Sequence, residues 1–200
     1  FIYDSYANRK NKGTLKALQR FDYFKRKVSR NNKKICYILK SDIKHYFRTV
    51  SHGILLKIII RKIKDERIIW LIKKILRNHK KGGRSSLGMP LGNLTSQFFA
   101  NVYLNELDYF VKYKLKSKYY IRYVDDFVML HDDYKILEKY QKEINGYLIK
   151  NLKIQLHKDK TKIIKLKKGI NLLGYRVFYY HKLLKKANKM KFERKFKEKL

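Results

Sequence analysis

Residues 119–130 constrain this chain more than any other stretch, because two adjacent carboxylates, Asp125 and Asp126, interrupt a run of β-prone residues. Ile121, Tyr123 and Val124 favour extended structure on one side. Phe127, Val128, Met129 and Leu130 do so on the other, so the stretch reads as strand, tight turn, strand. Asp is accepted in turns because its side chain can bond the nearby backbone, yet Asp-Asp is a poor turn pair beside Asn-Gly or Asp-Gly. Two like charges side by side repel. Either water screens them at a solvated hairpin tip, or a cation neutralises them.

The wider composition bears on that choice. Of the 200 residues, 51 are Lys or Arg and 16 are Asp or Glu, a net charge of +35 that a polyanion would relieve. No apolar run approaches the roughly 18 residues that span a bilayer, and the N-terminus lacks a signal-peptide pattern, so nucleic acid is favoured over a membrane surface. Lys, Ile, Asn and Tyr are abundant together, as biased genomic base composition would also produce. A hydrophobic fraction of 44% with 14% aromatics excludes a disordered chain. Cys36 is the only cysteine, which excludes a disulfide framework and a cysteine zinc site and fits a reducing cytoplasm. Its apolar neighbours mark it as a core residue. The six histidines show no ligand spacing.

In chain order, Arg9-Lys10-Asn11-Lys12-Gly13 is a basic knot open to two uses, cradling phosphate or lying as a solvated loop. Thr14 is expected to cap a helix carrying Leu15, Leu18, Phe21 and Phe24. Residues 35–42 read as a strand ending on Asp42, a charge that needs compensation from a backbone N-cap or another partner. Ser51 and Asp65 are expected to cap the next two helices. Their apolar stripes are Ile54, Leu55, Ile58, Ile59 and then Ile68, Ile69, Ile72, Ile75, Leu76, and both stripes, with Trp70, are expected in the core. Gly82-Gly83-Arg84-Ser85-Ser86 is followed by Gly88-Met89-Pro90-Leu91-Gly92, which holds the only proline between glycines, in an interval where the backbone can turn and approach a ligand. Asn93 or Thr95 starts a long helix whose Gln97 and Asn101 share a face toward that loop. After the hairpin come a helix over about 133–150, strands at 153–157 and 162–166 around Lys158-Asp159-Lys160, a short hairpin strand at 172–178, and a basic helical tail from Lys182.

Alternating helices and strands with three strand-end carboxylates, Asp42, Asp125 and Asp126, predict an α+β fold with acids gathered at one sheet edge. Mg²⁺ takes oxygen ligands and needs only one or two carboxylates per ion besides substrate phosphates. Three aspartates can hold two ions about 4 Å apart for in-line phosphoryl transfer, one activating a hydroxyl and one supporting the leaving pyrophosphate. Cations in the knot at 9–12 or around Lys160 could neutralise that leaving group. Spacing alone leaves polymerase and nuclease both open.

Five motifs in order resemble reverse transcriptases of the bacterial retroelement type, over nearly the whole chain. They are Ser41-Asp42-Ile43-Lys44-His45-Tyr46-Phe47, Gly88-Met89-Pro90-Leu91-Gly92-Asn93-Leu94-Thr95-Ser96-Gln97, Tyr123-Val124-Asp125-Asp126, Lys160-Thr161-Lys162 and Leu173-Gly174-Tyr175-Arg176. Within that superfamily the chain looks most like the diversity-generating retroelement branch. Group II intron and retroviral enzymes usually carry Pro-Gln-Gly where this chain has Pro90-Leu91-Gly92, and Asp4-Ser5-Tyr6-Ala7 with residues 9–14 looks like that branch's finger motif.

The resemblance implies the fingers and palm of a right-hand polymerase, a ferredoxin-like antiparallel palm sheet with helices, and a thumb largely absent. Fingers would lie mainly at 1–35 and 51–87, palm mainly at 36–50 and 88–181, with 182–200 starting a basic connection toward a thumb. It implies catalysis and metal binding by Asp42, Asp125 and Asp126, with the Ile43 backbone carbonyl as a further ligand, and two Mg²⁺ ions for which Mn²⁺ can substitute. Arg9, Lys10, Phe47, Pro90, Leu91, Gln97 and Lys160 would contact the dNTP, Phe47 as the gate against a ribose 2′-OH. Leu173, Gly174, Tyr175 and Arg176 would support the primer end.

The implied activity is RNA-directed DNA synthesis, error-prone because Leu91 cannot offer the incoming nucleotide the hydrogen bond a glutamine would. Implied partners are an RNA template, a DNA or RNA primer with its cDNA product, dNTPs and a small accessory protein, with no membrane, in a bacterial or phage-derived cytoplasmic setting. Two alternatives stand beside it: the same active site serving a group II intron, retron or abortive-infection system, or a non-catalytic RNA-binding scaffold.

Overall fold

Strand-forming residues alternate with amphipathic helices along the chain, and several helix starts carry a side-chain cap. The computed structural model describes residues 1–77, 86–90 and 92–198. Of the expected glycine-rich interval, residues 82–85 and Leu91 lie outside them. In order, the elements are α1 (Thr14–Val28), β1 (Tyr37–Ser41), α2 (Tyr46–Thr49), α3 (His52–Ile60), α4 (Glu66–Arg77), α5 (Leu94–Tyr109), β2 (Tyr120–Tyr123), β3 (Asp126–His131), α6 (Tyr134–Tyr147), β4 (Lys162–Lys165), β5 (Ile170–Leu172), β6 (Tyr175–Val177), β7 (Lys182–Leu184) and α7 (Lys186–Lys197). The Ser51 hydroxyl accepts from the Ile54 amide, Asn93 from Thr95 and Asp133 from Lys135, so each satisfies an orphan donor at the head of α3, α5 or α6. Asp65 does the same for Arg67 and Ile68.

The main sheet has the order β2-β3-β1-β4, with every pairing antiparallel. With α5 between β1 and β2 and α6 between β3 and β4, this is the ferredoxin-like β-α-β-β-α-β arrangement expected for the palm. Side chains alternate across it. Leu39, Phe127, Met129 and Tyr120 join the larger core beneath α3, α5 and α6. Ile38, Val128, Leu130 and Ile121 face α1 and the second sheet, β5-β6-β7. Apolar residues cover both faces, which is why β3 reads as a continuous apolar run rather than an alternating one.

Several expectations are corrected. Trp70 is 60% exposed, with Ile68 and Leu71 also on the surface. Ile72 and Leu76 define the buried side of α4, and Trp70 is about 200° around the helix from Ile72 at 100° per residue. Thr14 does not cap α1: Gly13 occupies that position at φ 110, and the Thr14 hydroxyl instead donates to the Tyr123 hydroxyl at 3.3 Å. Residues 153–157 are not a strand. Only an isolated bridge joins Leu156 to Ile43, because α6 continues as a π-type turn through Leu152 and consumes the chain. The tail from Lys182 first completes the small sheet as β7 and becomes helical at Lys186.

Candidate active site

Register alone assembles the acidic site. Ser41 pairs with Phe127 and Lys40 with Lys162, so continuing both ladders by two residues or one sets Asp126, Asp42 and Lys160 in a row at one end of the sheet. Asp42 and Asp126 each lie two residues from the inward-facing Lys40 and Val128, so they share the face that looks toward the small sheet. Lys160 Nζ lies 2.7 Å from Asp42 Oδ2, and the Asp42 carboxylate is largely buried. The contact raises the Lys160 ammonium's pKa, through the hydrogen bond first and the carboxylate charges after it.

Asp125 sits in the turn before Asp126. Burial pushes its carboxyl up to about 6, opposed by a backbone hydrogen bond and reinforced by the charges of Asp42 and Asp126. Asp126 is raised too, by burial first and also by Asp42, while Lys40, Lys160 and Lys185 oppose the shift. The three carboxylates therefore share one field.

An open pocket of about 410 Å³ adjoins the row, lined among others by Asp42, Asp126, Lys160, Asn171 and Arg176. It brings the expected primer-support hairpin beside the acids. Lys40 Nζ donates to the Asn171 carbonyl at 2.9 Å, tying the small sheet to β1. Leu173 (φ 48) and Gly174 (φ 87) form the two-residue turn between β5 and β6, the doubly positive pattern of a type I′ hairpin. A Cβ on Gly174 would lie 2.7 Å from the Asn188 amide nitrogen. Tyr175 packs partly against the second core, and the Arg176 guanidinium donates to the Lys168 carbonyl.

Arg9, Lys10, Phe47, Pro90 and Gln97 are not among the residues that line this pocket. Arg9 Nη1 donates to the carbonyls of Ile2 (2.6 Å) and Ser5 (2.8 Å), so its guanidinium shapes the N-terminal segment, while Lys10 is exposed. Phe47 is half-buried, edge-on to Tyr46, and its carbonyl accepts from the Met89 amide at 2.7 Å. The Gly88 amide donates to Val50, and His52 Nε2 lies 2.6 Å from the Gly88 carbonyl. The loop leading into Pro90 is thus laced onto the segment that follows Asp42. Gln97 is half-buried on the first turns of α5. Ile43 is in the core and bridged to Leu156.

Behind the turn lies a polar network that the sequence reading missed. Arg122 and Asp108 are fully buried and paired through two bonds, Nε to Oδ1 at 2.7 Å and Nη2 to Oδ2 at 2.6 Å. Tyr120 donates to Asp108 as well, and Asn101, expected to look toward the loop, turns inward to Arg122 and the Ala7 carbonyl. The Arg122 fork also reaches the Val124 carbonyl at 2.8 Å. Val124 has φ 57, a left-handed conformation that costs a β-branched residue on the order of 1–3 kcal/mol. A hydrogen bond from a charged donor is worth about 1.5–3 kcal/mol, enough to hold it there. The available signal was a lone Arg in an apolar strand paired with a lone Asp in an apolar helix face.

Among the described residues, no three His, Cys, Asp or Glu side chains close tightly enough to hold a single ion. The donor set nonetheless suits a hard dication. Its groups are carboxylates only, the charge of Asp42 helps to raise the pKa of both Asp125 and Asp126, and a lysine ammonium on Asp42 supplies the countercharge.

Comparison with known proteins agrees with this architecture. Protein YkfC of Escherichia coli (strain K12) is 29% identical, the match covering 70% of this chain and 46% of that protein. The group II intron-encoded protein LtrA of Lactococcus lactis subsp. cremoris is 31% identical over 55% of this chain and 20% of its own length. The chain spans less than half the length of the curated relatives it matches. Apo telomerase from Candida tropicalis, truncated from its C-terminal domain, superposes with a TM-score of 0.68 at 15% identity, covering 91% of this chain and 41% of that one. Candida albicans telomerase in complex with a fragment of telomeric RNA gives 0.68 at 13%, over 88% and 34%. At such identities the likeness concerns the fold. The model of the family described as reverse transcriptase (RNA-dependent DNA polymerase) matches residues 1–177, a span that takes in the carboxylate row and the β5–β6 turn, and the chain belongs to that family.

Proposed function

We propose that the protein is an RNA-directed DNA polymerase that extends a primer on an RNA template, with Asp42, Asp125 and Asp126 as its catalytic carboxylates. The observation that carries this reading is the row of Asp126, Asp42 and Lys160 beside the pocket reached by Arg176. Two Mg²⁺ ions held by the three aspartates and the Ile43 carbonyl, or Mn²⁺ in their place, would supply Lewis-acid activation of the attacking hydroxyl and charge neutralisation at the leaving group. The chain's own groups do the rest. The cations around the row draw in the polyanionic template and primer. In this reading the β5–β6 turn would support the primer end, Phe47 would refuse a 2′-hydroxyl, and Pro90 and Gln97 would contact the nucleotide. Arg9, committed to two carbonyls, shapes the loop that carries Lys10 to the triphosphate. In this reading the fingers comprise mainly 1–35 and 51–87 and the palm mainly 36–50 and 88–181.

Primer extension on a defined RNA template tests it. Extension is expected with the unaltered protein and lost in Asp125→Ala and Asp126→Ala. Extension surviving both would reject the site, and binding without extension at any Mg²⁺ or Mn²⁺ concentration would make the protein an RNA-binding scaffold.

The finer assignment is to the diversity-generating branch, supported by Pro90-Leu91-Gly92, with a small accessory protein as partner and a bacterial or phage-encoded cytoplasmic setting. Leu91→Gln is expected to lower misincorporation, most of all opposite adenine, and unchanged error rates would refute that assignment. The likeness to LtrA favours a second reading, an intron-borne enzyme. Faithful copying by the unaltered protein would support it.

A further inference from the structure

Arg122 makes more contacts than a buried ion pair needs. Asp108 satisfies its Nε and one face of Nη2, yet the fork goes on to Ser5 Oγ (3.2 Å), Asn101 Oδ1 (3.1 Å) and the Val124 carbonyl (2.8 Å). Its backbone is committed as well: its amide donates to Asp4 and its carbonyl accepts from Tyr6, in a parallel bridge centred on Ser5. That bridged segment is the one Arg9 secures through Ile2 and Ser5. One fully buried side chain thus joins the N-terminal segment, α5 and the turn that carries Asp125.

A pair present only to fill the core would be complete with Asp108 and Tyr120. The additional bond to Val124 falls on the residue immediately before Asp125, in a backbone conformation that glycine ordinarily supplies. We infer that Arg122, oriented by Asp108 and Asn101, is a positioning residue of the active site: it holds Val124 left-handed so that Asp125 and Asp126 are presented to the same substrate, and it makes that geometry depend on the seating of residues 4–7. This rests on the polymerase reading above. Lysine cannot take its place, because one ammonium cannot span Asp108, Asn101 and the Val124 carbonyl in the planar fork that guanidinium provides.

The decisive experiment pairs Arg122→Lys with Val124→Gly. Arg122→Lys is expected to lower kcat for dNTP addition by about 10- to 100-fold, the scale of a misplaced catalytic group. KM for dNTP is expected to stay within about 3-fold, since nucleotide binding is not what is lost. Hydrogen exchange is expected to quicken at the amides of 124–127 and not in α6. Adding Val124→Gly removes the need for a restraint, so the double variant is expected to recover about 10-fold in kcat over Arg122→Lys. A lower melting temperature with unchanged kcat, or no recovery from the added glycine, would overturn the inference. Should Arg122→Lys fail to fold, Asp108→Asn keeps the shape of the partner and is read the same way. Should the unaltered protein extend no primer, the polymerase reading falls, while exchange at 124–127 still decides whether Arg122 holds the turn.

Discussion

Asp125 is the residue at which solution conditions should be felt most. Burial holds its carboxyl at about 6, above the ordinary 3.8, so between those values the folded chain keeps a proton that the unfolded chain has released. Stability from this group is therefore greatest at acid pH and falls as pH rises through about 6. Asp125→Asn is expected to stabilise the protein by about 1–2 kcal/mol near pH 7.5, after discounting for partial solvent screening, and by almost nothing near pH 4. Urea unfolding at the two pH values checks this. Activity should run the other way, declining below about pH 6 as the carboxylate gains its proton. Mg²⁺ should raise the melting temperature of the unaltered protein near pH 7.5 and have little effect on Asp126→Asn, because only the folded chain gathers the ligands. The acids themselves were legible as types, since two adjacent carboxylates in an apolar hairpin demand a reason. Arg122 was not, because its partner Asp108 lies on another element and only folding brings them together.

At the level of elements, the caps at Ser51 and Asp65, the helix starts near Asn93 and Asp133 and the strands β1 to β4 could be read from local pattern, because such signals are decided within a few residues. What could not be read depended on which face a neighbour covers. Trp70 lies on an apolar helix but on the side opposite Ile72, and residues 153–157 look extended but follow a helix that overruns. The small sheet offers a test of local geometry. Gly169 has φ 71, and a Cβ there would lie 2.6 Å from the Phe178 ring, which is itself stacked on His181. Gly169→Ala is expected to cost about 2 kcal/mol in denaturant unfolding, combining backbone strain with displacement of the ring. Because Gly169 also lines the pocket beside Asp42 and Asp126, the same variant should weaken primer use.

For the molecule as a whole, a charge of +35 on 200 residues means that the proposed binding to an RNA–DNA hybrid would be driven largely by displaced counterions. Affinity should fall by about 10³-fold or more between roughly 50 and 200 mM salt, with little dependence on sequence, as fluorescence anisotropy can measure. The sheet divides the apolar interior into two cores, so the carboxylates sit at the rim of the layer both cores share. The loop before Leu91 has no comparable independence. The Met89 amide bonds the Phe47 carbonyl and the Gly88 amide bonds Val50, which stitches it to the chain segment leaving Asp42. Sugar choice and base choice, if they reside at Phe47 and at the loop, are therefore inherited together. A substitution that shifts the backbone at either is expected to disturb both kinds of selection at once.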